Sequence, residues 1–195
     1  MQPYPVSVAE ILSDHGAALH LEGDIDLGSF SVGEEPFEGI APAHFAVDLT
    51  NTGSGIVAMG HIAGEVKAQC ARCLRDFPLL VTGEVEAFYV EARYADEIPE
   101  EAEAEPVTGD EMVDLAPALM GAITVEIPFA ALHDPECEGL CPTCGADLNE
   151  GSCGCRNDAE AENPFAALKG LLPVEGGTAG APQTEAENDD SGPKS

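Results

Sequence analysis

Seven cysteines are the residues of this chain whose types and spacing point most directly to chemistry. Cys70 and Cys73 form one Cys-x-x-Cys pair, and Cys137, Cys141, Cys144, Cys153 and Cys155 crowd into one short segment. In Cys141-Pro142-Thr143-Cys144-Gly145, two thiolates two residues apart can grip a tetrahedral zinc ion while backbone N–H groups of the turn point at the sulfurs. Gly145 supplies the conformation that closes such a turn. Cys70-Ala71-Arg72-Cys73-Leu74 repeats the spacing directly after a predicted strand. Two such knuckles are what a four-cysteine zinc ribbon requires, although far more chain separates them here than in a compact ribbon. The local alternative joins Cys141 and Cys144 to Cys153 and Cys155. His133 and Cys137 stand just upstream, and with His133 the donors number eight, enough for two tetrahedral sites. Spacing alone leaves the pairing open.

Other uses of these thiols fit less well. Redox Cys-x-x-Cys pairs rely on a helix N-terminus to lower a thiolate pKa, whereas Cys70 and Cys73 fall between predicted strands. Inert burial suits a cluster interleaved with Gly, Pro and Asn poorly. An odd number of cysteines cannot pair completely, and a disulfide framework is not expected in a reducing compartment. A catalytic zinc would keep an open position and a general base, and Glu136, Glu138 and Glu150 read as ordinary surface acids. Structural zinc is the expected cofactor, and no catalytic residues are assigned.

The seven basic residues are Lys67, Arg72, Arg75, Arg93, Arg156, Lys169 and Lys194. Lys67, Arg72 and Arg75 flank the first cysteine pair and Arg156 follows the last cysteine, which makes these four the candidate binding residues. They would form a small positive face if a metal joined the two cysteine groups. Equally, they would offset thiolate charge, since zinc held by four thiolates keeps a formal double negative charge.

The elements that must position these side chains begin with β structure. Residues 18–27 and 45–49 alternate apolar and polar side chains, residues 53–55 make a break, and residues 56–70 and 79–90 continue the pattern. This predicts an α+β fold that is mainly antiparallel β, a meander or small barrel-like sheet, with a zinc-ribbon-like cysteine segment and a short C-terminal helix. A short helix is predicted before the sheet, with Ser7 and Glu10 as a capping box and Gly16 as its end. The domain reading is residues 1–94 as a β-rich domain carrying the first pair, 95–111 as an acidic flexible loop, 112–172 as a helix, the cysteine segment and a C-terminal helix on the same domain, and 173–195 as a disordered tail. Within 112–127 the apolar residues recur at helical spacing, with the helix starting at Pro117, where proline is tolerated.

Composition limits the partners. The chain has 195 residues, 44% of them apolar, so one domain or a domain with an appendage can bury a core, although aromatics make up only 5%. Its formal net charge of −30 disfavours non-specific binding to RNA, DNA or an anionic membrane surface. No run approaches the ~18 apolar residues of a membrane span, and the first residues lack the basic and apolar regions of a signal peptide. A soluble, cytoplasmic protein without a membrane partner is expected.

Taken in order, CARCLRDFP after a strand, the acidic break, ITVEIPF, CEGLCPTCGADLN with CGC, and NPFAALKGL resemble the YceD family over roughly residues 5–172. The resemblance implies a role in ribosome biogenesis, in accumulation or processing of large-subunit ribosomal RNA, with no established enzyme activity. Members differ in how many cysteines they keep, and many carry a cysteine where this chain has His133. Three functions compete. The leading one is a non-enzymatic assembly factor that contacts a basic ribosomal protein or assembly factor, which the charge of the chain suits. Next is a zinc-stabilised RNA-binding module that meets ribosomal RNA through the basic patch. Last is a metal or thiol enzyme, for which the sequence offers no general base and no nucleophile constellation.

Overall fold

The computed structural model describes residues 2–91, 93–94 and 104–155. Met1–Cys153 is one compact unit, and of the remainder, Gly154–Ser195, only Gly154 and Cys155 are described. The C-terminal helix and tail expected from the sequence, and Arg156, lie outside the described residues.

Nine strands and two α-helices make up the described chain: β1 (Pro5–Ser7), α1 (Ala9–Leu12), β2 (Ala18–Ile25), β3 (Ser29–Val32), β4 (Glu35–Gly39), β5 (Ala43–Asn51), β6 (Gly55–Gln69), β7 (Asp76–Val90), β8 (Ala104–Pro106), β9 (Met112–Asp114) and α2 (Ala116–Glu126). Two 15-residue strands dominate, β6 and β7, which pair antiparallel from Gly55↔Val90 to Gln69↔Asp76. On its other edge β6 meets β5 along its first half and β4 at Val66 and Lys67. β2 extends the sheet beyond β5, and β3 beyond β4. All these pairings are antiparallel, and β8 adds one short parallel pairing at Phe88–Val90 of β7. The path has ends at β2 and β3, so the described sheet is open and not a closed barrel; only β5–β6–β7 follow one another as a meander, since β2 pairs with β5 and β4 with β6.

Alternation explains the central strands. In β5, Ala43, Phe45, Val47 and Leu49 are buried and the residues between them are more exposed, the period-2 pattern of a sheet with one face in the core. The buried faces of β6 and β7 add Ile56, Ile62, Val66, Val81, Val85 and Tyr89. α2 lies against them through Leu115, Leu119 and Ile123, all fully buried. A Cβ at Gly83 would run into the carbonyl oxygen of Ala122, so the bare backbone of β7 sets how closely the helix approaches. Pro117 sits in the first turn of α2, where its missing N–H costs nothing. Pro128 restricts Ile127 to the extended conformation it adopts at the end of the helix.

Several local expectations change. Ser7 does not cap α1. The N-cap is Val8 and has no side-chain cap bond, because Ser7 belongs to β1, where it pairs with Met112 of β9. Met112–Asp114 form β9, and α2 begins at Ala116, beside the Pro117 start expected from the sequence. Of the acidic stretch 95–111, residues 95–103 lie outside the described residues, while Ala104–Pro106 form β8 and Val107 is buried. The β3–β4 hairpin, with Phe30 stacked on Phe37 at 5.8 Å, adds two strands to those expected, and its short Ser29–Val32 arm alternates exposed and half-buried residues. Asn51 is a buried polar residue that serves the other, C-terminal end of α1. Its Nδ2 donates to the carbonyls of Ile11 (2.7 Å) and Leu12 (3.1 Å), and its Oδ1 accepts the Gly53 N–H at 2.8 Å. One side chain thus ends α1 and shapes the β5–β6 turn.

Two substitutions test this packing by denaturant unfolding. Gly83→Ala is expected to destabilise the protein by about 1–3 kcal/mol through overpacking against α2. Gly121→Ala, on the open side of the same helix with nothing near its added methyl, is expected to stabilise by about 0.5–1 kcal/mol. The same sign for both would show that α2 is not seated on Gly83. Asn51→Ala is expected to cost about 1–3 kcal/mol, since it strands two carbonyls and an N–H; a neutral result would mean water replaces the amide.

Candidate metal centre

The turn joining β6 to β7 is the first Cys-x-x-Cys knuckle. Cys70 N–H donates to Arg75 O at 2.9 Å and Leu74 N–H to Cys70 O at 2.9 Å. The second knuckle repeats these bonds, Cys141 N–H to Ala146 O and Gly145 N–H to Cys141 O, both at 2.8 Å. Gly145 adopts φ 72° and Leu74 adopts φ 61°, so a leucine occupies the left-handed position that glycine fills without strain.

The two knuckles do not share a site. Cys70, Cys73, His133 and Cys137 bring their donor atoms within 4.8 Å of one another, and Cys141, Cys144, Cys153 and Cys155 do the same. In the first group Cys70 and Cys137 place their sulfurs 3.9 Å apart, and His133 Nδ1 lies 3.5 Å from Cys73 Sγ. A tetrahedral zinc with sulfurs at about 2.3 Å sets ligand atoms about 3.8 Å apart, so these separations suit it. All three cysteines of the first group are buried, whereas Cys144, Cys153 and Cys155 are exposed.

Burial favours the neutral thiol at Cys70, but hydrogen bonding from His133 and the backbone amides of Cys73, His133 and Arg72 outweighs it and brings the pKa down to about 5. At Cys141 the amides of Cys144 and Thr143 draw the thiol down to about 6. Burial pushes Cys73 up, against the Arg75 amide. The thiolate at Cys141 is therefore favoured chiefly by its own turn, and that at Cys70 first by His133 and then by its turn.

The surrounding chain locks the first group. Ala71 N–H donates to Ala131 O at 2.8 Å, which brings the segment after α2 alongside the knuckle and delivers His133. Phe77 meets the His133 ring edge-on at 6.4 Å. Arg72 donates from Nη1 to the carbonyls of Pro135 (3.1 Å) and Cys137 (2.8 Å). Arg75 pairs with Asp147 at 2.9 Å, and Lys67 pairs with Asp76 at 2.8 Å. Three of the four candidate binding residues are thus engaged within the chain, and the fourth, Arg156, is outside the described residues.

Two residues the sequence reading passed over are part of the centre. Asn149 Nδ2 donates to Cys137 Sγ at 3.4 Å, and its Oδ1 accepts the Glu138 N–H at 2.9 Å. Asp147 Oδ1 accepts the Asn149 N–H at 2.9 Å, which starts the 3-10 turn Leu148–Glu150. An Asp-x-Asn directly after a knuckle was the available signal, because such side chains bond nearby backbone N–H groups.

Comparison with known proteins follows the same residues. An uncharacterized protein of Mycobacterium tuberculosis is 33% identical over 104 residues, which cover 51% of this chain and 48% of the relative. An uncharacterized protein of Mycobacterium leprae is 24% identical over 108 residues, 55% of this chain and 50% of the relative. The chain spans about half the length of these relatives. A protein of Zea mays named large ribosomal RNA subunit accumulation protein YCED homolog 1, chloroplastic, is 42% identical over 48 residues, 24% of this chain and 16% of the relative. No solved structure matches. The family described as large ribosomal RNA subunit accumulation protein YceD matches residues 58–172, more than half of the sequence and all of both cysteine groups, and the chain belongs to the YceD family.

Proposed function

We propose that this chain is a non-enzymatic ribosome-biogenesis factor that supports accumulation or processing of large-subunit ribosomal RNA through contacts with a basic ribosomal protein or assembly factor, and that zinc on its cysteines is structural. The family description motivates the process. The donor sets motivate the role of the metal. Four protein ligands leave a zinc ion no open position for water or substrate, as in structural sites.

One observation carries the preference for a protein partner. All four described cations are engaged within the chain, Lys67 with Asp76, Arg72 with two carbonyls, Arg75 with Asp147 and Arg93 with Glu91. The acids have no such balance at a net charge of −30. They rim an apolar groove of about 720 Å³ between α2 and β7, floored by Phe88, Ala118, Gly121 and Val125 and edged by Glu84, Glu86, Glu105 and Glu126. None of those four acids has an ion-pair partner among the described residues. A cationic protein surface complements this and a polyanion does not. No helix among the described residues is long and apolar enough to cross a membrane.

Chain purified reduced and without chelator is expected to carry at least one zinc per molecule by elemental analysis; a value well below one removes the metal from this reading. Affinity capture from cell extract, followed by binding to the purified partner, is expected to identify a basic protein whose association slows as salt rises. Neutralising the groove with Glu84→Gln, Glu86→Gln and Glu126→Gln should weaken it about tenfold. Direct retention of ribosomal RNA by the purified chain, lost in Arg72→Gln with Arg75→Gln at unchanged zinc content, would favour the RNA-binding module instead.

A further inference from the structure

The cysteines could be shared in several ways, and the structure selects one with a consequence for loading. We propose that the chain holds two separate zinc ions, one on Cys70, Cys73, His133 and Cys137 and one on Cys141, Cys144, Cys153 and Cys155, and that filling the second group raises the affinity of the first. This rests on the zinc reading above and is independent of the ribosomal one.

The coupling has named parts. Cys137 reaches the first group from the chain that leads into the second knuckle. The backbone on either side of that knuckle forms a small hairpin, with Leu140 bridged to Asp147 and Leu148 N–H donating to Gly139 O at 2.9 Å. The returning arm of the hairpin presents Asn149 to Cys137 Sγ and Asp147 to Arg75, the residue two places after Cys73. The outgoing arm presents Leu140 N–H to Arg72 O at 3.2 Å, inside the first knuckle. An ion on Cys141 and Cys144 closes the turn of this hairpin, which fixes both arms at once. The arms then hold three things the first site needs: the Cys137 loop, the Arg72 carbonyl and a hydrogen-bond donor on the Cys137 thiolate. Groups that orient metal ligands in this way are worth 10–100-fold in metal affinity. By linkage the coupling is reciprocal, so the first ion also favours the second. Asn149 is a positioning residue here, since it touches a ligand atom and holds the Glu138 N–H at the same time.

Native mass spectrometry of the full chain during zinc addition, with a competing chelator to fix free zinc, measures both steps. Two zinc ions per chain are expected, with little of the one-zinc species at half saturation. Cys141→Ser with Cys144→Ser should lower the stoichiometry to one and weaken the remaining ion by at least tenfold, although neither residue is a ligand of the first group. Asn149→Ala should keep two ions and weaken one of them by 10–100-fold, and Asn149→Asp, which keeps the acceptor for Glu138 but loses the donor to sulfur, should not rescue it. Circular dichroism of each variant reports whether the sheet stays folded. A single ion lost equally on mutation of Cys70 or Cys141 would overturn the pairing. Two ions that bind independently, with the first unaffected by Cys141→Ser and Cys144→Ser, would overturn the coupling and leave structural zinc intact. No zinc at all would overturn the underlying reading.

Discussion

The β6–β7 turn is the constraint on which the rest depends. Fifteen residue pairs of the central ladder converge on Gln69↔Asp76, and the six residues between them must close the chain without breaking register. They do so with two backbone bonds and one residue in the left-handed region, Leu74. That residue is 56% exposed and contributes little apolar burial of its own. The turn is instead covered by chain arriving from elsewhere, so that Cys70, Cys73 and Cys137 form a small cluster with Phe77, Leu132 and Leu140, apart from the main core. A cluster of that size is a weak anchor by burial alone, and small apolar assemblies are commonly completed by a metal or a cross-link. The sheet therefore defines where the sulfurs are presented, and the sulfurs define where the last third of the described chain can lie.

Charge follows the same geography. A chain this acidic suffers repulsion within its own fold, and each cation is worth most where several negative or electron-rich groups meet. Lys67, Arg72 and Arg75 lie beside the knuckle, and two of them reach across to the cysteine segment. These are half-exposed contacts whose individual strength is modest. Their value is geometric, since Arg72 holds two carbonyls of the Cys137 loop, those of Pro135 and Cys137, and Arg75 fixes the arm that carries Asn149. Glu84, Glu86, Glu105 and Glu126 have no ion-pair partner among the described residues, so the apolar groove beside α2 has an acidic rim.

How much of this was legible follows from the physics of each signal. β5, β6 and β7 were readable because one face of each meets the core and the side chains alternate accordingly. Pro117 marked the start of α2 because proline acts through its own ring and not through distant contacts. β1, β8 and β9 have three residues each, too few for a period, and exist because partners arrive from far along the chain. Ser7 had the right chemistry for a cap and lost it to pairing with Met112. The eight residues that the structure gathers into two groups were singled out by type and spacing. Their division was not, because spacing records which thiols are close in the chain and not which loop the segment after α2 returns to. That return is set by Ala71 N–H on Ala131 O, a backbone bond with no sequence signature.

The composition of each donor set then has a physical reason. Zinc on four thiolates carries a formal charge of −2, and replacing one thiolate by a neutral imidazole reduces it to −1. Burying charge is costly in proportion to how completely water is excluded. The group with the imidazole is the one whose three cysteines are all buried, and the all-cysteine group keeps Cys144, Cys153 and Cys155 exposed to solvent. His133 is thus placed where a fourth thiolate would add charge in the drier of the two sites. Negative charge left on the sulfurs there would meet the Asn149 amide at Cys137, with Arg72 on the Cys137 carbonyl and Arg75 on Asp147 nearby. Substitution of His133 by cysteine would keep the donor count but raise the negative charge that a zinc ion held there would leave on the buried group.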